Sequence, residues 1–207
     1  MPRQNRVTPY STLIATPARG QWLGNRGCLH DDAGRLRRLY QTRRWITCLL
    51  EFKGARRQLM QPGRWTELFF LDEATAFAAG HRPCAYCRRP RYEEFRRVWA
   101  QANPQLGLGP RPSADRIDAV LHAERLDAGR QRLTYPARLD TLPDAAFVLV
   151  DGQACLVRDG RLWPWQPQGY AAPFRLPPAA PLAVLTPRSV VNTLALGFAV
   201  QMGELDH

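Results

Sequence analysis

The stretch FFLDEATAFAAGHRPCAYCRRPRYEEF, Phe69–Phe95, decides how the N-terminal half is read. Asp72 is placed to cap a short helix through ATAFAA, and Gly80 follows it where a helix ends in the left-handed conformation. Cys84 and Cys87 come next. Pro90 then stands where a first helical residue belongs, and Tyr92, Phe95, Val98 and Trp99 recur at three- and four-residue steps up to Asn103-Pro104. The spacing predicts a second helix with one apolar stripe. A CxxC held between the end of one helix and the start of the next is a metal knuckle. Its two thiolates can hold one Zn²⁺ in a tight turn, and the N–H groups of the following helix favour their negative charge.

Cys84 and Cys87 make half of a tetrahedral site, since structural zinc takes four protein ligands. Upstream, GNRGCLHDD offers Cys28 and His30 as a second pair, the first choice here; His81 ranks next and Cys48 last. Cys48 lies in WITCLLEF (Trp45–Phe52), whose β-branched and aromatic content reads as a strand. There Ile46, Cys48, Leu50 and Phe52 share one face, so Cys48 reads as a small buried hydrophobe. KGAR follows as a turn and RQLM as the return strand of a hairpin. A thioredoxin-like redox pair is disfavoured because no strand leads directly into the CxxC and no βαβ pattern surrounds it.

Charge is distributed unevenly around this segment. The net charge is +11, and all of it lies in residues 1–100, while 101–207 balance to zero. Lys53 is the only lysine, so arginine usage reflects compositional bias; that bias does not explain the difference between halves. A basic half of this kind attracts polyanions, nucleic acid first among them. On the second helix Arg91, Arg96 and Arg97 fall mostly off the apolar stripe. With Arg82, Arg88 and Arg89 they form the candidate phosphate-contacting set.

Residues 1–27 carry prolines and glycines with little periodicity and read as an irregular arm. PQLGLGPRP (104–112) reads as a linker between a basic metal-binding part, 1–103, and an α+β part, 113–207, unless the two form one continuous domain. Ser113 is placed to cap a helix through ADRIDAVLHAERL with Ile117, Val120 and Leu121 inward. Asp115, Asp118, His122 and Arg125 fall within about 80° on the other side, at about 100° per residue. A solvated face with i,i+4 charge pairs is one account of them. An Asp118/His122 acid/base pair is the other, and it supplies the candidate catalytic residues. FVLV-DG-QACLVR-DG-RLWPW reads as a three-stranded meander turning at two Asp-Gly dipeptides, with Cys155 structural in its central strand. Trp163, Trp165, Tyr170 and Phe174 form either a stacking platform for bases or a lid over the sheet. PLAVL is a further strand, Thr186-Pro187 opens a last helix, and Gly197 closes it. The fold class expected is α+β: a zinc-knuckle or treble-clef-like N-terminal part, then a part rich in β-meander with flanking helices.

Phe69–Pro90 resembles the second half of the Ada-type metal-binding domain, in which two aromatics and an Ala-rich helix precede AGxRPCxxCRP. The resemblance covers about a tenth of the chain and is carried by Ala79-Gly80-His81-Arg82-Pro83-Cys84 through Cys87-Arg88. It implies that Cys84 and Cys87 bind zinc together with an upstream cysteine pair, in a module that binds DNA and repairs methylated phosphate. The family's upstream CxxxC, with its methyl-accepting cysteine, has no counterpart at the expected distance.

Five cysteines without a secreted pattern, and an N-terminal stretch without an apolar core, point to a reducing, cytoplasmic compartment. No window approaches the roughly 18 apolar residues of a membrane span. The expectation is a zinc protein that contacts nucleic acid, DNA ahead of RNA, in repair or processing. A nucleic-acid hydrolase is the alternative, using Asp118 and His122 or the metal site, with His30-Asp31-Asp32 as another candidate group. A zinc-stabilised protein-interaction module is the third reading.

Overall fold

The helix punctuation read from the sequence is the punctuation observed. In α1 (Glu73–Ala78) the Asp72 side chain accepts from the Thr75 N–H at 2.7 Å, and Gly80 follows at φ +79°. Pro90 stands in the first turn of α2 (Arg89–Ala102), which buries Tyr92, Phe95, Val98 and Trp99. Ser113 caps α3 (Ala114–Arg125), and α4 (Arg188–Ala195) begins after Pro187 and is followed by Gly197 at φ +89°. These come from a computed structural model that describes residues 1–54 and 58–203, a mixed α+β fold with two six-stranded sheets.

The first sheet is built of short strands: β1 (Gln4–Val7), β2 (Leu13–Ala15), β3 (Trp22–Asn25), β4 (Ile46–Cys48), β5 (Leu68–Phe70) and β6 (Arg82–Pro83), in the order β2-β1-β5-β3-β4-β6. The N-terminal residues are therefore no irregular arm, since they supply three of these strands. Strands of three or four residues are too short for alternation to show in the sequence. Val7 and Leu13 nevertheless bury against Leu68, Phe70 and Ala76. Gly24 marks a close approach: a Cβ there would lie 2.3 Å from the Phe70 ring. The hairpin expected from Trp45 onward is absent among the described residues. β4 stops at Cys48, Leu50 is exposed, and Gln58–Met60 form no strand. The end of the expected KGAR turn and the start of RQLM, residues 55–57, lie outside the described residues.

The second sheet contains β7 (Tyr135–Arg138), β8 (Phe147–Val150), β9 (Gln153–Arg158), β10 (Arg161–Gln166), β11 (Gly169–Tyr170) and β12 (Pro181–Val184), ordered β11-β10-β9-β8-β12-β7. Its meander turns at Asp151-Gly152 and Asp159-Gly160, with both residues of each pair at positive φ, the conformation that matches strand twist in tight hairpins. Cys155 is buried in β9.

The two halves share one core. Phe77, Phe95 and Trp99 from the first pack with Ile117, Leu121, Phe147, Leu156, Trp163 and Leu194 from the second, across the 104–112 segment. Tyr10 adds a polar tie by donating to the Gly152 carbonyl at 2.6 Å. Of the aromatic group, Trp163, Trp165 and Tyr170 pack on this core, and Phe174 is part-buried against the second cluster. Both tryptophans are buried, Trp165 Nε1 donates to Thr75 Oγ1 at 3.1 Å, and the Tyr170 hydroxyl donates to Asp72 at 2.6 Å.

α3 departs from the expected two-faced helix. Ile117 and Leu121 face the apolar core, but Asp118 and Arg125 are also buried. The N-terminal sheet lies against that side, so charged residues placed there must find partners within the protein. Asp118 pairs with Arg82, and Arg125 donates to the carbonyls of Gly80 and Arg43.

Candidate metal centre

The register of β4 explains the centre. β4 runs antiparallel to β3 (Leu23↔Cys48, Gly24↔Thr47) and parallel to β6 (Ile46↔Arg82, Thr47↔Pro83). One step further along the parallel pair, Cys48 meets Cys84, whose N–H donates to the Thr47 carbonyl at 2.9 Å. The chain then turns through the knuckle. Tyr86 N–H points at Cys84 Sγ at 3.4 Å, and Arg88 N–H closes on the Cys84 carbonyl at 3.2 Å just before α2 begins.

The result is a cluster of Cys48, Cys84 and Cys87 with all three Sγ atoms within 4.8 Å of one another. A tetrahedral zinc with Zn–S bonds of about 2.3 Å sets its sulfurs about 3.8 Å apart, so this donor set fits such an ion. Cys48 and Cys84 are buried and Cys87 is half-buried. The thiols share their protons unevenly. A hydrogen bond from Cys48 brings Cys84 down to about 5 against the opposing effect of burial, with further help from the N–H groups of Cys87 and Tyr86. Cys87 is lowered by the same Cys48 donor, again against burial, and by the Leu49 N–H. Cys48 itself is raised, because it donates to both neighbours and is buried. Cys84 thus favours the thiolate form that metal ligation requires, while a charge on it opposes a second one on Cys87 in the absence of a cation.

Cys28 and His30, expected as the second ligand pair, are not in this cluster. His30 Nδ1 lies 2.6 Å from Thr66 Oγ1 and its Nε2 3.2 Å from the Gln61 carbonyl, so both ring nitrogens are engaged. The Cys28 thiol points to the His30 carbonyl at 3.5 Å. His81 is fully buried, where its Nε2 accepts from Arg26 Nε at 3.1 Å. Burial, together with Arg26 and Arg125, holds its pKa well below the usual histidine value. Cys48, ranked last as a candidate ligand on the sequence, is the cysteine that the sheet sets beside Cys84 and Cys87, where the three could hold a metal ion. One signal was available: among the other cysteines it is the nearest upstream of the knuckle. Asp31 has a turn-forming role, since it accepts from the N–H groups of Ala33 and Arg35 and from the Arg35 and Arg37 side chains.

The expected acid/base pair is not formed. Both Asp118 oxygens are taken by Arg82, at 2.9 Å from Nε and 2.7 Å from Nη2, while His122 Nδ1 lies 3.1 Å from Arg125 Nη2. Burial raises the Asp118 carboxyl despite that fork. The six arginines offered for phosphate contact divide sharply. Arg82 belongs to the buried pair with Asp118. Arg88 is buried against Glu73, Thr47 Oγ1 and the Trp22 ring, and Arg91 holds Glu73, Glu94 and the Ala199 carbonyl. Arg96 is paired with Glu93, leaving Arg89 and Arg97 exposed, the latter bonded only to Gln101 among the described side chains. Sequence periodicity could not show this, because the Glu73 that neutralises Arg88 and Arg91 lies on another helix. Exposed cations also lie on the segments before and after β4, at Arg35, Arg37, Arg38, Arg43, Arg44 and Arg64, of which Arg35 and Arg37 pair with Asp31.

Compared with protein families, curated proteins and solved structures, the chain matches none.

Proposed function

We propose that this chain is a zinc protein that contacts nucleic acid, with the metal on Cys48, Cys84 and Cys87 clamping β4 to the knuckle and so fixing the basic N-terminal sheet. The observation that carries the reading is the convergence of three sulfurs within 4.8 Å. Thiolate donors favour zinc among the common divalent ions, and the three sulfurs supply three of the four positions of a tetrahedral zinc, leaving the fourth to a further ligand. The three-thiolate set leaves a net negative charge on the bound ion, and Lys53 lies beside the knuckle, within 3.4 Å of the Tyr86 hydroxyl. The nucleic-acid part is supported by the net charge of +11, all of it in residues 1–100, and by the exposed arginines of the 35–44 segment. DNA stands ahead of RNA because of the resemblance of Phe69–Pro90 to the Ada-type segment. Methyl transfer is left out of the proposal, since the cluster has one upstream cysteine where that family has two.

Metal content and binding to labelled DNA and RNA at several salt concentrations test the two parts separately. Phosphate contact gives a log–log salt slope of about −0.9 per phosphate neutralised on duplex DNA. Binding without a salt slope would remove the arginines from the reading, and purified protein free of bound metal at neutral pH would remove the zinc.

A further inference from the structure

A cleft of about 700 Å³ opens between the 41–44 segment and α3, lined among others by Cys28, Gln41, Arg43, Arg44, Asp115 and Asp118. Behind it lies an imbalance of charge. Arg26 and Arg125 are fully buried, and their guanidinium carbons stack on the Trp45 ring at 3.8 and 3.9 Å from its centroid. Half-buried Arg132 donates to the carbonyls of Arg125, Ala78 and Leu185. Among the described residues none of the three has a carboxylate in ion-pair contact. The carboxylate nearest to serving them, Asp118, is already forked by Arg82.

A buried guanidinium without a counter-charge is costly, and carbonyl oxygens offset only part of that cost. Arg26 Nη2, Arg125 Nε and Arg132 Nε are enclosed without a hydrogen-bond partner. Burial first, then mutual repulsion, lowers Arg26 well below its ordinary value and Arg125 to about 9 despite Asp118; burial alone brings Arg132 to about 10. The excess positive field has a direct route to the cleft. Trp45 is flanked in the chain by Arg44 and Ile46, both of which line it, and Arg125 donates to the Arg43 carbonyl at 2.7 Å. A cleft backed by unpaired cations in a low-dielectric wall concentrates anions.

We propose that this cleft is a phosphate site in which Arg43 and Arg44 grip the phosphate oxygens and the phosphate supplies the counter-charge that the Arg26/Arg125/Arg132 group lacks. Guanidinium forks match phosphate oxygens two at a time, and both side chains are exposed and available. Asp115 competes for the same place. It is largely exposed and pairs loosely with Arg44 at 3.6 Å, so it weakens the site it borders. The phosphate can come from a small phosphorylated molecule or from a nucleic-acid strand. In the second case the inference rests on the reading above; neither case depends on the metal.

Calorimetric titration of the full chain, at ionic strength held constant with chloride, tests this with inorganic phosphate, a mononucleotide and a single-stranded oligonucleotide as probes. The expected result is saturable phosphate binding, weakened at least tenfold in Arg43→Gln/Arg44→Gln, strengthened severalfold in Asp115→Asn, and unchanged in Arg161→Gln on β10. No saturable phosphate binding by the native chain, or equal binding by native and doubly substituted chains, overturns the site. If phosphate or mononucleotide binds as expected and the oligonucleotide does not, the cleft stands and the nucleic-acid reading falls. If the oligonucleotide displaces phosphate, both stand.

Discussion

Replacing Cys48 with serine separates the observed centre from the one expected on the sequence. Within the knuckle a bound metal would close only a short turn, whereas a bond from it to Cys48 would link β4 to Cys84 across about 36 residues, for which the chain-entropy relation of a crosslink of that span gives about 4 kcal/mol. For a protein of 207 residues that corresponds to a fall in melting temperature of about 10 °C. The assay pairs metal-to-protein stoichiometry with thermal unfolding, each with and without a chelator. Cys48→Ser should lose the metal and melt about 10 °C lower than the metal-loaded native chain. It should also lose most of its sensitivity to chelator, because the link that the chelator breaks is already gone. Cys28→Ser should keep both the metal and the melting temperature, since its thiol faces the His30 carbonyl, and Cys155→Ser should keep the metal. A Cys48→Ser protein with full metal content and a native melting point, or a Cys28→Ser protein that loses its metal, would refute the three-cysteine assignment.

Three further outcomes follow from named contacts. Arg82→Met strands the buried Asp118 carboxylate and should cost about 3–5 kcal/mol in denaturant unfolding, with much of that regained in Arg82→Met/Asp118→Leu; a loss under about 1 kcal/mol would show the pair to be solvated. Tyr170→Phe removes the 2.6 Å hydrogen bond to the buried Asp72 carboxylate and should cost about 1–3 kcal/mol without changing metal content, as followed by the same unfolding. Glu73 is raised by burial but lowered further by Arg91 and Arg88, so its folded pKa lies below the ordinary 4.5. Its contribution is therefore present above that value and disappears as pH falls through the lower folded one. Unfolding measured from neutral pH down to pH about 2 should lose less stability in Glu73→Gln than in the native chain, and equal acid sensitivity would argue against the Glu73–Arg88–Arg91 group.

What could be read from the sequence is what depends on neighbours in the chain. The Asp72 cap, Gly80, Pro90, the Tyr92/Phe95/Val98/Trp99 stripe and the two Asp-Gly turns are short-range devices, and each is found where its residues placed it. Cys84 and Cys87 belong with them, because a CxxC forms within one turn. Tertiary structure decided everything that depends on how the sheets meet. Apart from β4, which lies within the strand read at Trp45–Phe52, strands of three and four residues carry too little alternation to announce themselves, so the rest of the N-terminal sheet was not legible, nor was the parallel pairing that sets Cys48 beside Cys84. The same packing turned arginines that read as a phosphate-binding face into partners of Glu73 and Asp118, and left the unpaired cations behind the cleft at Arg43 and Arg44. Charge is counted along the chain, but a charge is neutralised by whatever folding brings within a few ångströms, and only the arrangement of the sheets and α3 determines that.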